Sequence, residues 1–215
     1  KYKGTFKNGK YHGNTTNNSL YNKDGYGLEF QGKFKDGKKL EGTEYKVYSN
    51  KVKLYYRGTY DINEKYNGHG KIYHECGNLK YEGYFKNGLY DGDGKVYYTN
   101  GNLYYSTKFN EGEPLTGDVT MYYENGNLCY SGHWNKNLYN GFGILYWNHP
   151  DKIIKYEGNF YNGKYHGEGT SSKSLDLTGN KYVIEFKGRW DMGEFRGIGL
   201  KIICYPNKKI HYQGA

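Results

Sequence analysis

Aromatic and polar residues alternate with period two in short blocks, and the blocks return at a nearly fixed spacing. In one of them Tyr81, Gly83 and Phe85 alternate with Lys80, Glu82, Tyr84 and Lys86, the pattern of a strand with one packed and one solvated face. Asn87-Gly88 follows, a dipeptide that favours a two-residue hairpin turn because both residues tolerate positive φ. The return strand places Gly92, Gly94, Val96 and Tyr98 on one face, and Asn100-Gly101 turns the chain into the next block. The phrase aromatic-x-Gly-x-aromatic opens at Tyr2, Phe30, Tyr56, Tyr81, Tyr130, Tyr156 and Phe186. An eighth copy opens at Tyr105 with Thr107 in place of glycine, and a ninth begins at Tyr212-Gln213-Gly214. In chain order the copies are separated by 28, 26, 25, 24, 25, 26, 30 and 26 residues, a period that signals stacked repeats. Each repeat is expected to be one antiparallel hairpin.

Composition by itself points elsewhere. A mean hydropathy of -1.04, 35% hydrophobic residues and 33 glycines lean toward disorder. The 29 tyrosines, 9 phenylalanines and 3 tryptophans stand in phase, however, and each fully buried aromatic contributes roughly 3 kcal/mol. The glycines keep phase too: Gly83 between aromatics, and the pairs Gly68/Gly70, Gly92/Gly94, Gly141/Gly143, Gly167/Gly169 and Gly197/Gly199. Their expected role is to leave bare backbone on which a neighbouring ring lies flat. The expected fold is therefore all-β with little or no helix: about eight hairpins in an elongated, twisted, single-layer antiparallel sheet, forming one domain over residues 1–215. Because the chain opens on Lys1 and stops within the ninth phrase, it is expected to be a piece of a longer protein.

The run Tyr156-Glu157-Gly158-Asn159-Phe160-Tyr161-Asn162-Gly163-Lys164-Tyr165-His166-Gly167-Glu168-Gly169 resembles a MORN repeat at nearly every position, and the resemblance covers essentially the whole chain. The connectors Thr99-Asn100-Gly101-Asn102-Leu103 and Glu124-Asn125-Gly126-Asn127-Leu128 are similar to a shorter variant common in bacterial proteins. The resemblance implies a sheet of hairpins with an aromatic-lined groove and roles in protein interaction, scaffolding, dimerisation or attachment near membranes. It also implies frequent attachment to an enzyme domain such as a SET-domain methyltransferase or lipid kinase. The variant-like connectors keep a bacterial immunity or antitoxin role in view. Departures from the pattern are Thr107, Asp118-Val119 in place of Gly-x-Gly, the second repeat after Gly42, and the insertion from Asn14 through Asp24. Irregular hairpins are expected there.

Candidate chemistry is thin. His12 and His166 occupy equivalent turn positions of distant repeats, and His69 and His74 lack further ligands at metal spacing. Cys76, Cys129 and Cys204 fall at different phases of different repeats and are expected to be free thiols in a reducing compartment. Gly-x-Gly here opens a return strand, which is not the strand-to-helix setting of a phosphate loop. No catalytic residue, metal or cofactor is expected. The tyrosines are committed to packing, which leaves nothing for nucleic-acid stacking, and three tryptophans are too few for a choline- or carbohydrate-binding repeat.

Charge is more informative. Residues 1–60 hold 13 Lys/Arg against 5 Asp/Glu, and the rest of the chain 18 against 17. Lys3, Lys7, Lys33, Lys35 and Arg57 fall on the solvated strand positions and are the candidate contacts with anionic lipid or an acidic protein surface. Tyr56, Tyr81, Tyr130 and Tyr156 either line a peptide groove or form the core. The expected function is a non-catalytic scaffold for a protein partner or anionic membrane, with a regulatory region of a larger enzyme as the alternative. No apolar run reaches membrane-span length, and the expected location is the cytoplasm, with or without membrane association.

Overall fold

The computed structural model describes residues 1–14, 18–23, 25, 27–177, 180–205 and 208–213. The chain divides into two compact units, Lys1–Pro114 and Leu115–Ala215. In the first, the strands are β1 (Tyr2–Lys3), β2 (Phe6–Lys7), β3 (Lys10–Tyr11), β4 (Ser19–Tyr21), β5 (Leu28–Lys35), β6 (Lys38–Tyr48), β7 (Lys51–Tyr60), β8 (Tyr66–Tyr73), β9 (Leu79–Lys86), β10 (Leu89–Tyr97), β11 (Leu103–Asn110) and β12 (Glu113–Pro114). β1 pairs with β4, and β4 to β12 then pair antiparallel in sequence order. β2 and β3 form a separate hairpin. In the second unit β13 (Gly117–Tyr122), β14 (Leu128–Asn135), β15 (Leu138–Tyr146), β16 (Ile154–Tyr161), β17 (Lys164–Leu177), β18 (Asn180–Asp191), β19 (Glu194–Tyr205) and β20 (Lys208–Gln213) do the same. The expected all-β meander of consecutive hairpins is the observed fold, with no helix among the described residues.

The register explains the phase of the glycines. Gly32, Gly42, Gly58, Gly70, Gly83 and Gly94 are direct cross-strand partners from β5 to β10. Gly132, Gly143, Gly158, Gly169 and Gly188 form the same row from β14 to β18. Over each intrahairpin pair lies the first aromatic of the phrase. A Cβ on Gly83 or Gly94 would stand 2.6 Å from the Tyr81 hydroxyl. On Gly143 or Gly169 it would strike Tyr130 or Tyr156 at 2.3 and 2.2 Å. Phe30, Tyr56, Tyr81, Tyr130 and Tyr156 are all 0% exposed, so the expected ring-over-glycine device is the core of both units.

Two further contacts lock each of the four fully buried tyrosine rings. The return-strand tyrosine stacks on it: Tyr66 on Tyr56 at 3.8 Å, Tyr90 on Tyr81 at 3.7 Å, Tyr139 on Tyr130 at 3.9 Å and Tyr165 on Tyr156 at 3.8 Å between ring centroids. The hydroxyl then reaches past the glycine to donate to the carbonyl three residues on, from Tyr56 to Thr59, Tyr81 to Tyr84, Tyr130 to His133 and Tyr156 to Asn159, at 2.7–3.0 Å. A phenylalanine would fill the space and leave that carbonyl without this donor, which is why the phrase usually opens with tyrosine.

Three expectations need correction. The first glycine of the return pairs is not a ring seat at Gly68, Gly92, Gly141 or Gly167, whose φ values are +76, +82, +80 and +66; Gly92 sits in the irregular stretch of the β9–β10 ladder, so it is there for its left-handed backbone. The second repeat accordingly keeps its row glycine, Gly42, and lacks only the bulge glycine. Its position is taken by Leu40 in a smaller register shift. The Asn-Gly dipeptides are also of two kinds. Asn87-Gly88, at φ 55 and 86, makes a two-residue turn, whereas in the connectors only the glycine is left-handed. There the asparagine carboxamide oxygen accepts from the backbone two residues on, Asn100 from Asn102 and Asn125 from Asn127.

The fifth repeat is irregular, as its sequence indicates. Thr107 stands opposite Gly94, so a side chain occupies the ring seat. Tyr105 remains half-buried, its centroid 6.5 Å from Phe109 at 28°, where the phrases opening at Phe30, Tyr56, Tyr81 and Tyr156 bring their two aromatics edge-on at 5.0–5.4 Å. Val119 and Met121 replace glycine and aromatic packing with buried aliphatic side chains. The division between the units falls within this repeat.

Candidate functional site

With the row glycines turned toward the rings, the residues on either side of them point to the opposite face. There, in the first unit, Lys3, Ser19, Gln31, Thr43, Arg57, Lys71, Glu82, Lys95 and Ser106 form one cross-strand row. Lys33, Glu41 and Thr59 form the adjacent one. Between the two rows lies a hollow of about 710 Å³, bordered by Gly42, Gly58 and Gly70 and flanked by Lys33, Glu41, Arg57, His69 and Lys71.

The hollow is cationic with one open position. Lys33 Nζ is held by Glu41 at 2.7 Å and Lys71 Nζ by Glu82 at 2.9 Å. That second hydrogen bond raises the Lys71 ammonium above its ordinary pKa and lowers the Glu82 carboxyl below its own. Arg57 stands directly opposite Lys71, is exposed, and has no carboxylate within ion-pair distance among the described residues. A guanidinium in that setting is available for a carboxylate or phosphate.

The five basic residues expected to act together are brought together only in part. Lys33 and Arg57 meet at the hollow. Lys3 lies in the row of Arg57 but four strands away, about 19 Å at the usual strand spacing. Lys7 belongs to the separate β2–β3 hairpin, and Lys35 faces Lys38 beside a turn. Tyr56, Tyr81, Tyr130 and Tyr156 sit in the core at 0% exposure, of the two roles considered for them the buried one.

Two features were not read from the sequence. Lys39 occupies the place where other repeats carry the stacking tyrosine. Its Nζ lies 5.0 Å over the Phe30 ring and 3.9 Å from Glu44, and that carboxylate also accepts from the Tyr60 and Tyr66 hydroxyls at 3.2 Å. The signal was present: Tyr11, Tyr90, Tyr139 and Tyr165 each follow their phrase opener by nine residues, as Lys39 follows Phe30. The second feature is an inter-repeat pairing of turns. His12 faces Asp36 at 3.8 Å and His166 faces Asp191 at 3.5 Å, so each equivalent histidine meets a carboxylate of the following repeat's turn. No group of three His, Cys, Asp or Glu with metal-holding geometry occurs among the described residues. Cys76 and Cys129 are free thiols, and the side chain of Cys204 lies outside the described residues. Among the described residues no helix is long and apolar enough to cross a membrane.

Residues 2–14, 81–103, 130–148 and 156–173 match the family model of the MORN repeat. No curated protein matches the chain. Each matched stretch opens on a tyrosine that covers a glycine.

Proposed function

Because this chain is built of MORN repeats, a non-catalytic repeat class of protein and membrane interaction, we propose that it is an interaction scaffold. It docks an acidic protein segment, or an anionic membrane, through the polar face and basic end of its first unit. The observation that supports this most is the division of labour within the repeat. The residues that recur, tyrosine and glycine, are taken up by the core, and what varies from copy to copy is presented on the opposite face. Of the cations that line the hollow, Arg57 is the one without a carboxylate at ion-pair distance among the described residues, and Lys33, held by an exposed Glu41, can exchange that partner for another at little cost.

Arg57→Glu tests the reading. The side chain is exposed, so the substitution is expected to change stability by no more than about 0.5 kcal/mol and to leave circular dichroism unaltered. Affinity capture with the wild-type chain is expected to yield partners released by salt and missing from the Arg57→Glu capture. An identical set of partners with both baits would remove the hollow as the docking site.

A further inference from the structure

The β6–β7 hairpin is longer than the sheet it belongs to. β5 offers partners to β6 only as far as Glu44, and β8 offers partners to β7 only from Tyr56 onward. Residues 45–54 therefore pair only with each other, as Tyr45 with Leu54, Lys46 with Lys53, Val47 with Val52 and Tyr48 with Lys51. A register shift after Glu44 separates this arm from the sheet, and a Ser49-Asn50 turn with both residues at positive φ closes it.

The composition of the arm is not what a solvated hairpin needs. Val47 and Val52, directly opposed near its tip, are 57% and 42% exposed. Lys46 and Lys53 are also directly opposed, an arrangement that like charges disfavour. Between Glu44 and Asp61 there is no acidic residue, while Lys46, Lys51, Lys53 and Arg57 all fall in that interval. Tyr45, Tyr48 and Tyr55 complete the segment, with Lys46 Nζ 3.3 Å over the Tyr55 ring. By alternation, Tyr45, Val47, Val52 and Leu54 share one face of the ribbon, and Lys46, Tyr48, Lys51 and Lys53 the other.

We propose that this arm is a membrane-docking element that lies along an anionic phospholipid surface, its valine face in the headgroup–acyl boundary and its lysines among the headgroups. The inference rests on the reading of the chain as a scaffold but places lipid contact on the arm, away from the hollow. An apolar face beside a lysine-rich one with interfacial tyrosines is the chemistry of interfacial amphipathic segments, for which an anionic bilayer supplies the acyl boundary and the headgroup charge together. Each lysine near such a surface is worth about a fivefold gain in binding.

Vesicle co-sedimentation of the full chain tests this, using phosphatidylcholine alone and phosphatidylcholine with phosphatidylserine. Wild type is expected on the anionic vesicles and not on the neutral ones. Lys46→Gln with Lys53→Gln is expected to weaken binding about 25-fold, and Val47→Ser with Val52→Ser about tenfold. Lys33→Gln with Arg57→Gln, at the hollow, is expected to bind as wild type. Circular dichroism of each variant confirms folding, and all of these side chains reach solvent. Equal recovery on both vesicle types, no recovery at all, or arm variants that bind as wild type would overturn the proposal. If only the hollow variant loses vesicle binding, the scaffold reading stands and the arm is not the lipid site. If vesicles fail but the Arg57-dependent protein capture succeeds, the chain is a protein scaffold without this membrane element.

Discussion

Gly143→Ala is expected to destabilise the second unit by about 2–4 kcal/mol, an unusual cost for adding one methyl group to a strand. The methyl would stand 2.3 Å from the Tyr130 hydroxyl and 2.6 Å from two ring carbons. Tyr130 has no room to move away. It is 0% exposed, stacked on Tyr139, edge-on to Phe160 at 5.5 Å, and tied through its hydroxyl to the His133 carbonyl at 2.7 Å. Gly126→Ala is the matched control. No atom lies within 4 Å of its added methyl, but φ is +89, so the left-handed backbone alone should cost about 1 kcal/mol. All three tryptophans, Trp134, Trp147 and Trp190, lie in this unit, so tryptophan fluorescence in urea reports its unfolding separately. Equal costs for the two alanines would mean that the ring seat is not a close fit.

Alkaline pH should dismantle the fold, and the first unit before the second. Burial pushes Tyr56, Tyr60, Tyr66 and Tyr81 well above the ordinary tyrosine range and Tyr90 up to about 12, with the Glu44 carboxylate adding to the rise at Tyr56, Tyr60 and Tyr66. Among the described residues of the second unit burial raises Tyr130 strongly, Tyr156 to about 12 and Tyr165 above its ordinary value. The unfolded chain releases these protons near pH 10, while the folded chain retains them. The stabilisation is therefore complete below pH 10 and is lost as pH rises from 10 toward the folded values. Each tyrosine removes at most about 1.4 kcal/mol per pH unit. Against a typical domain stability of roughly 5–15 kcal/mol, five such residues exhaust the first unit within about two pH units, and the three described ones in the second unit act more slowly. Tyrosinate absorbance should thus rise in a steep step coincident with loss of circular dichroism, before tryptophan fluorescence changes. Gradual ionisation around pH 10 with circular dichroism intact would show that the rings are open to solvent.

How much of this was legible in the sequence depends on which residues recur. Tyr81, Gly83 and Phe85 declare strand, face and packing partner at once, because the ring seat needs a tyrosine and a bare backbone at fixed offsets. Thr107 and Val119 likewise marked the repeat in which the division between the units lies. Legibility ended where one residue type serves two purposes. Gly92 and Gly94 look alike in sequence, yet one answers a backbone angle and the other a ring. The arm at 45–54 was hidden for a related reason. Its alternation matches that of any strand pair, its Ser49-Asn50 turn lacks the glycine signal, and it projects only because β5 and β8 pairing stop at Glu44 and Tyr56, where the β6–β7 register shifts. The basic residues were correctly placed on the solvated positions, but which of them adjoin is decided by register.

A double-mutant cycle between Tyr130 and Gly143 tests the interlock of tyrosine and glycine most directly. Leucine at position 130 keeps an apolar side chain but cannot reach across Gly143. In the Tyr130→Leu background, Gly143→Ala is expected to cost less than about 1 kcal/mol, compared with 2–4 in the wild-type background, a coupling well beyond ordinary additivity. The same cost in both backgrounds would contradict the account, because the methyl would then be excluded by something other than the tyrosine ring.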